Sequence, residues 1–298
     1  MNAVDWALLL FLAAVWGSSF FFGKVAEAGV TPLTLVAART LIACPALILV
    51  MLLSGYRFPR DWAHWKVFLG MGLLNCVIPF SLIFTAMTHI QSGLAAVLNS
   101  TTPIFGVILA HFIASERLTL PRIFGALCGF AGVALMIGLE ALHGIGDNVL
   151  AEVAVIGAAF CYAANAFYAR RVKHVPPLVS AAGMVTAAAF ISVPLAVAID
   201  KPWQAGWPNA ATIWSLLSLG LLSTALAYLL YFRLLRSAGP SNLVLVTFLI
   251  PVSAILLGVG FLHEILTATQ VGGLALIAAG LLLIDGRISR LWVRSTPA

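Results

Sequence analysis

Ten stretches of mainly apolar residues follow one another along the chain, and short polar segments separate them. A hydrocarbon core of roughly 30 Å requires about 20 apolar residues for each crossing helix. Since lipid offers the backbone no hydrogen-bond partner, each stretch is predicted to be a helix. The pattern therefore predicts an all-α integral membrane protein with ten transmembrane helices in a single membrane domain, residues 1–298. The predicted spans are residues 5–24, 33–54, 65–88, 93–113, 120–140, 150–170, 178–199, 211–235, 241–262 and 268–286.

The second half of the chain repeats sparse landmarks of the first half at a shift of 148 residues. Each copy holds five spans, and because this number is odd, the second copy enters the membrane from the opposite side. The chain is thus predicted to consist of two inverted five-helix repeats, residues 1–144 and 149–298. Alternating-access transporters are commonly built from such repeats. The matching landmarks are Gly72-Leu73-Leu74 with Gly220-Leu221-Leu222, Pro103 with Pro251, Glu116 with Glu264, Gly125 with Gly273 and Gly132 with Gly280.

The composition agrees with a membrane protein, because hydrophobic residues make up 62% and charged residues only 9% of the chain. Of the 16 Lys and Arg residues, 13 fall in the termini and in the loops that follow even-numbered spans. Only Lys24 and Lys201 lie on the opposite side, and Arg39 lies inside a span. The positive-inside rule then predicts that both termini are cytoplasmic. Membrane orientation and anionic lipid account for the net charge of +6, so no nucleic-acid partner is implied.

The spans contain no residues arranged for catalysis. They hold no nucleophile motif, no metal-ligand set and no paired carboxylates, whereas a membrane enzyme would need one of these at membrane depth. The four cysteines all lie inside spans, where they are expected to pack as small apolar residues. The sequence therefore favours a transporter over an enzyme and implies no cofactor and no metal.

Polar and aromatic residues inside the spans are the candidates for a substrate cavity. Tyr228 and Tyr231 follow Thr224 at helical spacing, which places the three on one stripe of the eighth helix. A hydroxyl or amide at this depth still needs a partner, so these groups either line a cavity or are packed within the protein. The candidate substrate-binding residues are Trp16, Asn75, Asn99, Tyr162, Asn165, Tyr228, Tyr231 and Thr247.

Two symmetry-related prolines, Pro103 and Pro251, fall in the middle of the fourth and ninth spans. Each removes a backbone hydrogen bond and frees the carbonyl one turn earlier, which belongs to Asn99 or Thr247. Both helices are therefore predicted to bend. The bends are either hinges that line the pathway or purely packed kinks.

Arg39 lies about two turns inside the second span from its non-cytoplasmic end. At such a depth an arginine costs about 2.5–3.5 kcal/mol on insertion scales, so it is expected to face protein or water. It can bind a substrate carboxylate, or it can reach the outer surface and bind backbone carbonyls. Its depth predicts a place in the outer part of the pathway.

Glu116 and Glu264 end the fourth and ninth spans on opposite sides of the membrane. A proton-coupling pair is one interpretation of their repetition. The other is a structural role, in which each carboxylate caps the following helix and favours its positive N-terminal end.

Several of these residues resemble a known family, the ten-helix drug/metabolite transporters called EamA. The resemblance rests on Trp16-Gly17-Ser18-Ser19-Phe20, the segment from Pro32 to Arg39, Pro103 and Glu116-Arg117-Leu118-Thr119, and it is repeated in the second half. Within the family the chain is most similar to YddG-type amino-acid exporters of bacterial inner membranes. Membership implies export of small metabolites through a central cavity between the repeats, with a small molecule and the lipid bilayer as partners and no set oligomeric state.

The resemblance does not name the metabolite, but the aromatic faces, the neutral hydrogen-bonding groups and the lack of an acidic residue at mid-depth narrow the choice to two kinds of substrate. The first is a neutral or aromatic amino acid. The alternative is a proton-coupled exporter of cationic drugs, similar to the small multidrug-resistance relatives, which depend on an acidic residue in the middle of the first helix. Here Asp5 and Glu27 only flank that helix, which favours the amino acid.

Overall fold

The computed structural model describes residues 1–90, 92–114, 119–137, 146–204, 206–250, 252 and 268–285, and these residues form helices and turns without a strand. We number the membrane helices α1 to α10, one for each predicted span. Seven of them are long and apolar enough to cross a membrane, and three are shorter apolar helices. The prediction of an all-α membrane protein is confirmed. The helices are α1 (Ala3–Glu27), α2 (Pro32–Leu53), α3 (Trp62–Met87), α4 (Ser92–Asn99 and Thr102–Ala114), α5 (Leu120–Ile137), α6 (Val149–Tyr168), α7 (Pro177–Ile199), α8 (Ala210–Ala238), α9 (Pro240–Ile250) and α10 (Ala268–Asp285).

Large apolar side chains cover the outside of the helix bundle. Phe112 is 77% exposed, Phe190 80% and Leu150 82%. Soluble proteins rarely show such contiguous apolar surface, whereas a bilayer solvates it at no cost. The outer surface of the bundle is therefore built for lipid.

Side chains cap the N-terminal ends of α1 and α2. Asn2 and Asp5 form a reciprocal capping box at the start of α1. At the start of α2, the capping group comes from a different helix, because Asp200 at the end of α7 accepts a hydrogen bond from the Thr34 amide at 2.7 Å. The same carboxylate accepts from the Thr31 hydroxyl. Asp200 thereby ties the start of α2 to the end of α7.

Equivalent helices of the two repeats run antiparallel. Thr40 of α2 is hydrogen bonded to Ser192 of α7, with 2.8 Å between the hydroxyl oxygens. One turn further along α2, Cys44 contacts Thr186, which lies earlier in α7. Helices that correspond in sequence but point in opposite directions belong to inverted repeats. The predicted inversion is confirmed.

The helices α5 and α10 also run antiparallel, and glycines set their distance. Gly125 lies against Gly280, and Gly132 lies against Gly273. A Cβ atom at Gly280 would be 2.5 Å from the carbonyl oxygen of Gly125, so only glycine permits this approach. Small residues at such contacts let membrane helices pack backbone to backbone.

Two short π-helical segments interrupt α3 and α8. They cover Leu73–Val77 and Leu221–Leu226, and their first residues are related by the shift of 148 that relates the repeats. A π-helical turn holds an extra residue and is found mostly at functional sites. It also interrupts the regular pattern of α-helical hydrogen bonds, so that backbone carbonyls can accept hydrogen bonds from side chains.

Candidate functional site

A central cavity lies between the two repeats, bordered by α1, α3 and α4 of the first repeat and α6, α8 and α9 of the second. Arg39 of α2 completes the wall. The cavity has about 760 Å³ of empty space, including its open mouth. Concave, mostly apolar clefts with a few polar groups are typical small-molecule sites. Eight of the nine predicted binding residues line it, namely Trp16, Arg39, Asn75, Asn99, Tyr162, Tyr228, Tyr231 and Thr247.

Asn165 is the predicted binding residue that does not line the cavity. Its side chain is fully buried, and its amide nitrogen donates a hydrogen bond to the Tyr231 hydroxyl at 3.0 Å. The residue therefore holds Tyr231 in place from behind. Ser19 and Thr102 line the cavity instead, and both lie in the spans that already carried candidates.

Three aromatic rings form one wall of the cavity. The ring centroids of Trp16 and Tyr228 are 6.3 Å apart at 76°, and those of Tyr228 and Tyr231 are 6.0 Å apart at 89°. Trp16 and Tyr231 are also in contact, at 5.9 Å. Edge-to-face pairs of this kind are each worth about 0.5–1.5 kcal/mol beyond their buried area. The wall offers ring faces and edges to an apolar solute.

Arg39 lies on the cavity wall. Its side chain is 2% exposed. The Nε atom donates to the Thr224 hydroxyl at 2.6 Å, and Nη2 donates to the carbonyl of Ser223 at 2.9 Å. The guanidinium carbon also lies 4.0 Å from the ring centre of Phe80, a cation–π contact. The π-helical segment of α8 thus supplies both oxygens that bind the Arg39 guanidinium.

The two π-helical segments are each held by a side chain from the opposite repeat. Arg39 of the first repeat binds the Ser223 carbonyl in α8. Tyr228 of the second repeat donates its hydroxyl to the Asn75 carbonyl in α3 at 3.1 Å. Asn75 and Ser223 are equivalent positions, 148 residues apart. Sequence reasoning missed this arrangement, and its only trace in the sequence is the repeated Gly-Leu-Leu at which both segments begin.

The helix α4 is interrupted at Ser100 and Thr101, directly before Pro103. The carbonyl of Asn99, which the proline leaves free, accepts a hydrogen bond from the Thr102 hydroxyl at 2.7 Å. The Oδ1 atom of the Asn99 side chain is buried and has no hydrogen-bond partner. A hinge at this point stays a prediction. Its counterpart Pro251 lies outside the described residues, and so do Glu116 and Glu264.

The polar groups on the cavity wall are suited to binding a small solute through hydrogen bonds. Across the described parts of the chain, no three His, Cys, Asp or Glu side chains come together to hold a metal ion. What the cavity offers is a guanidinium, amides, hydroxyls and aromatic rings. These groups can hold a small polar solute without bonding to it covalently.

A bundle of ten helices in two inverted repeats around a polar-lined central cavity is the architecture of a secondary transporter. The sequence profile of the EamA-like transporter family matches residues 5–138 and 149–285. The chain therefore belongs to the EamA-like transporter family, and the predicted resemblance is confirmed.

Relatives match over nearly the whole chain. The uncharacterized transporter YoaV of Bacillus subtilis is 26% identical over 95% of this chain and 97% of its own length. A protein of Salmonella typhimurium described as a probable amino-acid metabolite efflux pump is 27% identical, over 94% of both chains. A solved crystal structure with 23% identity has the same fold, with a TM-score of 0.78 over 98% of this chain. The relatives are transporters and efflux pumps, so the protein is a multi-pass membrane transporter of metabolites and not an enzyme.

Proposed function

We propose that the protein exports neutral or aromatic amino acids across the bacterial inner membrane by alternating access through the central cavity. One observation carries the substrate class. Around the cavity, the described wall combines aromatic rings and neutral hydrogen-bonding groups with the guanidinium of Arg39, and it contains no carboxylate. Such a wall accommodates an apolar side chain and a zwitterionic end. The probable amino-acid metabolite efflux pump of Salmonella typhimurium, similar over 94% of its length, supports an amino-acid substrate.

The alternative substrate, a cationic drug, requires a cavity wall that contains an acidic side chain. A lone cation in a low-dielectric cavity needs an anion, since unpaired charges are costly to bury. Asp5 and Glu27, the acidic residues of α1, lie near its two ends and away from the cavity lining. A positive charge in the cavity would meet Arg39 and be repelled.

Transport in proteoliposomes tests the proposal. We expect uptake of labelled phenylalanine or leucine, driven by its own gradient, to exceed that of a monovalent cationic dye. Protein-free liposomes provide the baseline. Faster uptake of the dye than of every amino acid tested would contradict the proposed substrate.

The orientation of the chain in the membrane can be tested separately. The excess of Lys and Arg in the termini and in the loops after even-numbered spans predicts that both termini are cytoplasmic. Ser54 and Gly146 are both exposed and lie in loops that the prediction places on opposite sides of the membrane. In a chain without its native cysteines, Ser54→Cys is expected to react with an impermeant thiol reagent only from the cytoplasmic side. Gly146→Cys is expected to react only from outside, and labelling of both from one side would contradict the predicted orientation.

A further inference from the structure

Two polar groups of the cavity wall lack the partner that their chemistry calls for. The guanidinium of Arg39 is buried and hydrogen bonded only to neutral oxygens, and the ion pairs of the described residues do not include it. The Oδ1 atom of Asn99, a residue that is 6% exposed, accepts no hydrogen bond from the described part of the chain. One group is therefore a cation without an anion, and the other is an acceptor without a donor.

Asn99 differs from the other residues that have an unpaired buried atom, because it lines the cavity. Across the described residues, four buried side-chain atoms lack a hydrogen-bond partner, on Ser81, Asn99, Asn165 and Thr212. Only Asn99 lines the cavity. Buried polar groups in native proteins are nearly always paired, so an exception in a binding cavity calls for an explanation. A bound solute that donates a hydrogen bond supplies one.

The contacts of Arg39 leave part of its guanidinium available. A guanidinium carries five N–H groups, and the bonds of Arg39 to Thr224 and Ser223 use those on Nε and Nη2. Among the described residues, Nη1 has no hydrogen-bond partner, and the contact with Phe80 holds the plane of the group. Arg39 can therefore keep its backbone contacts and still bind an oxygen of a solute carboxylate.

We propose that the cavity binds its substrate at two separate ends, with the carboxylate at Arg39 and the ammonium group at the Oδ1 atom of Asn99. This inference rests on the proposed amino-acid export and adds that both charged ends are required. An amine without a carboxylate leaves the Arg39 guanidinium unpaired, and the two positive charges repel each other. An acid without an amino group leaves Asn99 unpaired. A site with unpaired buried groups discriminates strongly against such analogues.

Competition with labelled phenylalanine in proteoliposomes tests the two ends separately. Phenethylamine lacks the carboxylate, and 3-phenylpropionate lacks the amino group. Because hydrogen bonds to charged groups are the stronger ones, each analogue is expected to compete roughly tenfold or more weakly than unlabelled phenylalanine. Equal competition by all three compounds would contradict binding at two ends.

Substitutions at Asn99 then assign the ammonium end. Asn99→Asp adds an anion and is expected to raise the uptake of phenethylamine relative to phenylalanine by roughly tenfold. Asn99→Leu removes the acceptor and is expected to weaken competition by phenylalanine but not by 3-phenylpropionate. Asn165→Asp is the matched control, because Asn165 also has an unpaired Oδ1 atom but does not line the cavity. Its ratio of amine to amino-acid uptake is expected to equal that of the unchanged chain.

Substitutions at Arg39 assign the carboxylate end. In Arg39→Gln, unlabelled phenylalanine and phenethylamine are expected to compete equally well with labelled phenylalanine. In Arg39→Lys, a positive charge is present again, so phenylalanine is expected to compete better than phenethylamine. If the unchanged chain takes up amino acids but none of these variants alters the ratios, the two-ended site is wrong and the proposed export stands. If the unchanged chain takes up no amino acid, the proposed function and this inference both fail.

Discussion

Gly280→Ala is expected to destabilise the folded protein by about 1–3 kcal/mol, the range found for overpacked interiors. The new methyl carbon would be 2.5 Å from the carbonyl oxygen of Gly125 and 2.7 Å from the amide nitrogen of Gly129. Both atoms belong to the backbone of α5, so they cannot turn aside as a side chain does, and α5 and α10 must separate. Thermal unfolding in detergent, followed by the loss of monodisperse protein, measures the effect.

Gly272→Ala is the matched control in the same helix. Its methyl carbon would lie 3.5 Å from a side-chain carbon of Leu135, which is an ordinary contact. The gain in helix propensity from glycine to alanine is the same at both positions, so the difference between the variants reports the helix contact alone. Equal unfolding temperatures for the two variants would show that the close approach of α5 and α10 contributes nothing to stability.

These glycines show what the sequence reveals about the fold. Gly125, Gly132 and Gly280 stand out as landmarks of the repeat, and the odd number of spans in each copy predicts the inversion. The partner of each glycine does not follow from the sequence, because helices that are apolar on all sides carry no stripe to mark the buried face. Helix number and repeat symmetry were therefore predictable, and the pairing of helices required the structure.

The same reasoning explains how far the cavity could be predicted. Few polar and aromatic residues lie inside the spans, and most of those selected as candidates line the cavity. Asn165 does not line the cavity, and its amide instead donates a hydrogen bond to Tyr231, which does. For Arg39, the position along α2 gives a depth but not the direction of the long side chain. Its direction depends on the Ser223 carbonyl in another helix.

The π-helical segments were missed for a related reason. An inserted residue in a helix costs backbone hydrogen bonds, and here the compensation comes from side chains far away in the sequence. Arg39 and Tyr228 bind carbonyls of the π-helical segments of α8 and α3 across the boundary between the repeats. In transporters that rock one repeat against the other, such contacts lie where movement must be accommodated. We therefore expect their loss to affect transport rate as well as stability.

Tyr228→Ala is expected to slow amino-acid export more than any other single change in the aromatic wall. The variant loses ring contacts with Trp16 and Tyr231, each worth about 0.5–1.5 kcal/mol, and the hydrogen bond to the Asn75 carbonyl. Hydrogen bonds between membrane helices average about 0.6 kcal/mol and reach about 1.7 kcal/mol. Initial rates in proteoliposomes, normalised to the amount of folded protein, measure the loss.

Tyr228→Phe separates the two contributions, because it keeps the ring and removes only the hydroxyl. From the strength of membrane hydrogen bonds, we expect a fall in rate of about threefold to twentyfold. Tyr231→Phe is the matched control, since that hydroxyl accepts a bond from the Asn165 side chain and binds no carbonyl of a π-helical segment. If the two phenylalanine variants export equally fast, the contact with Asn75 serves packing only. A slower Tyr228→Phe would tie transport to the π-helical segment of α3, because the missing hydroxyl is the group that holds its free carbonyl.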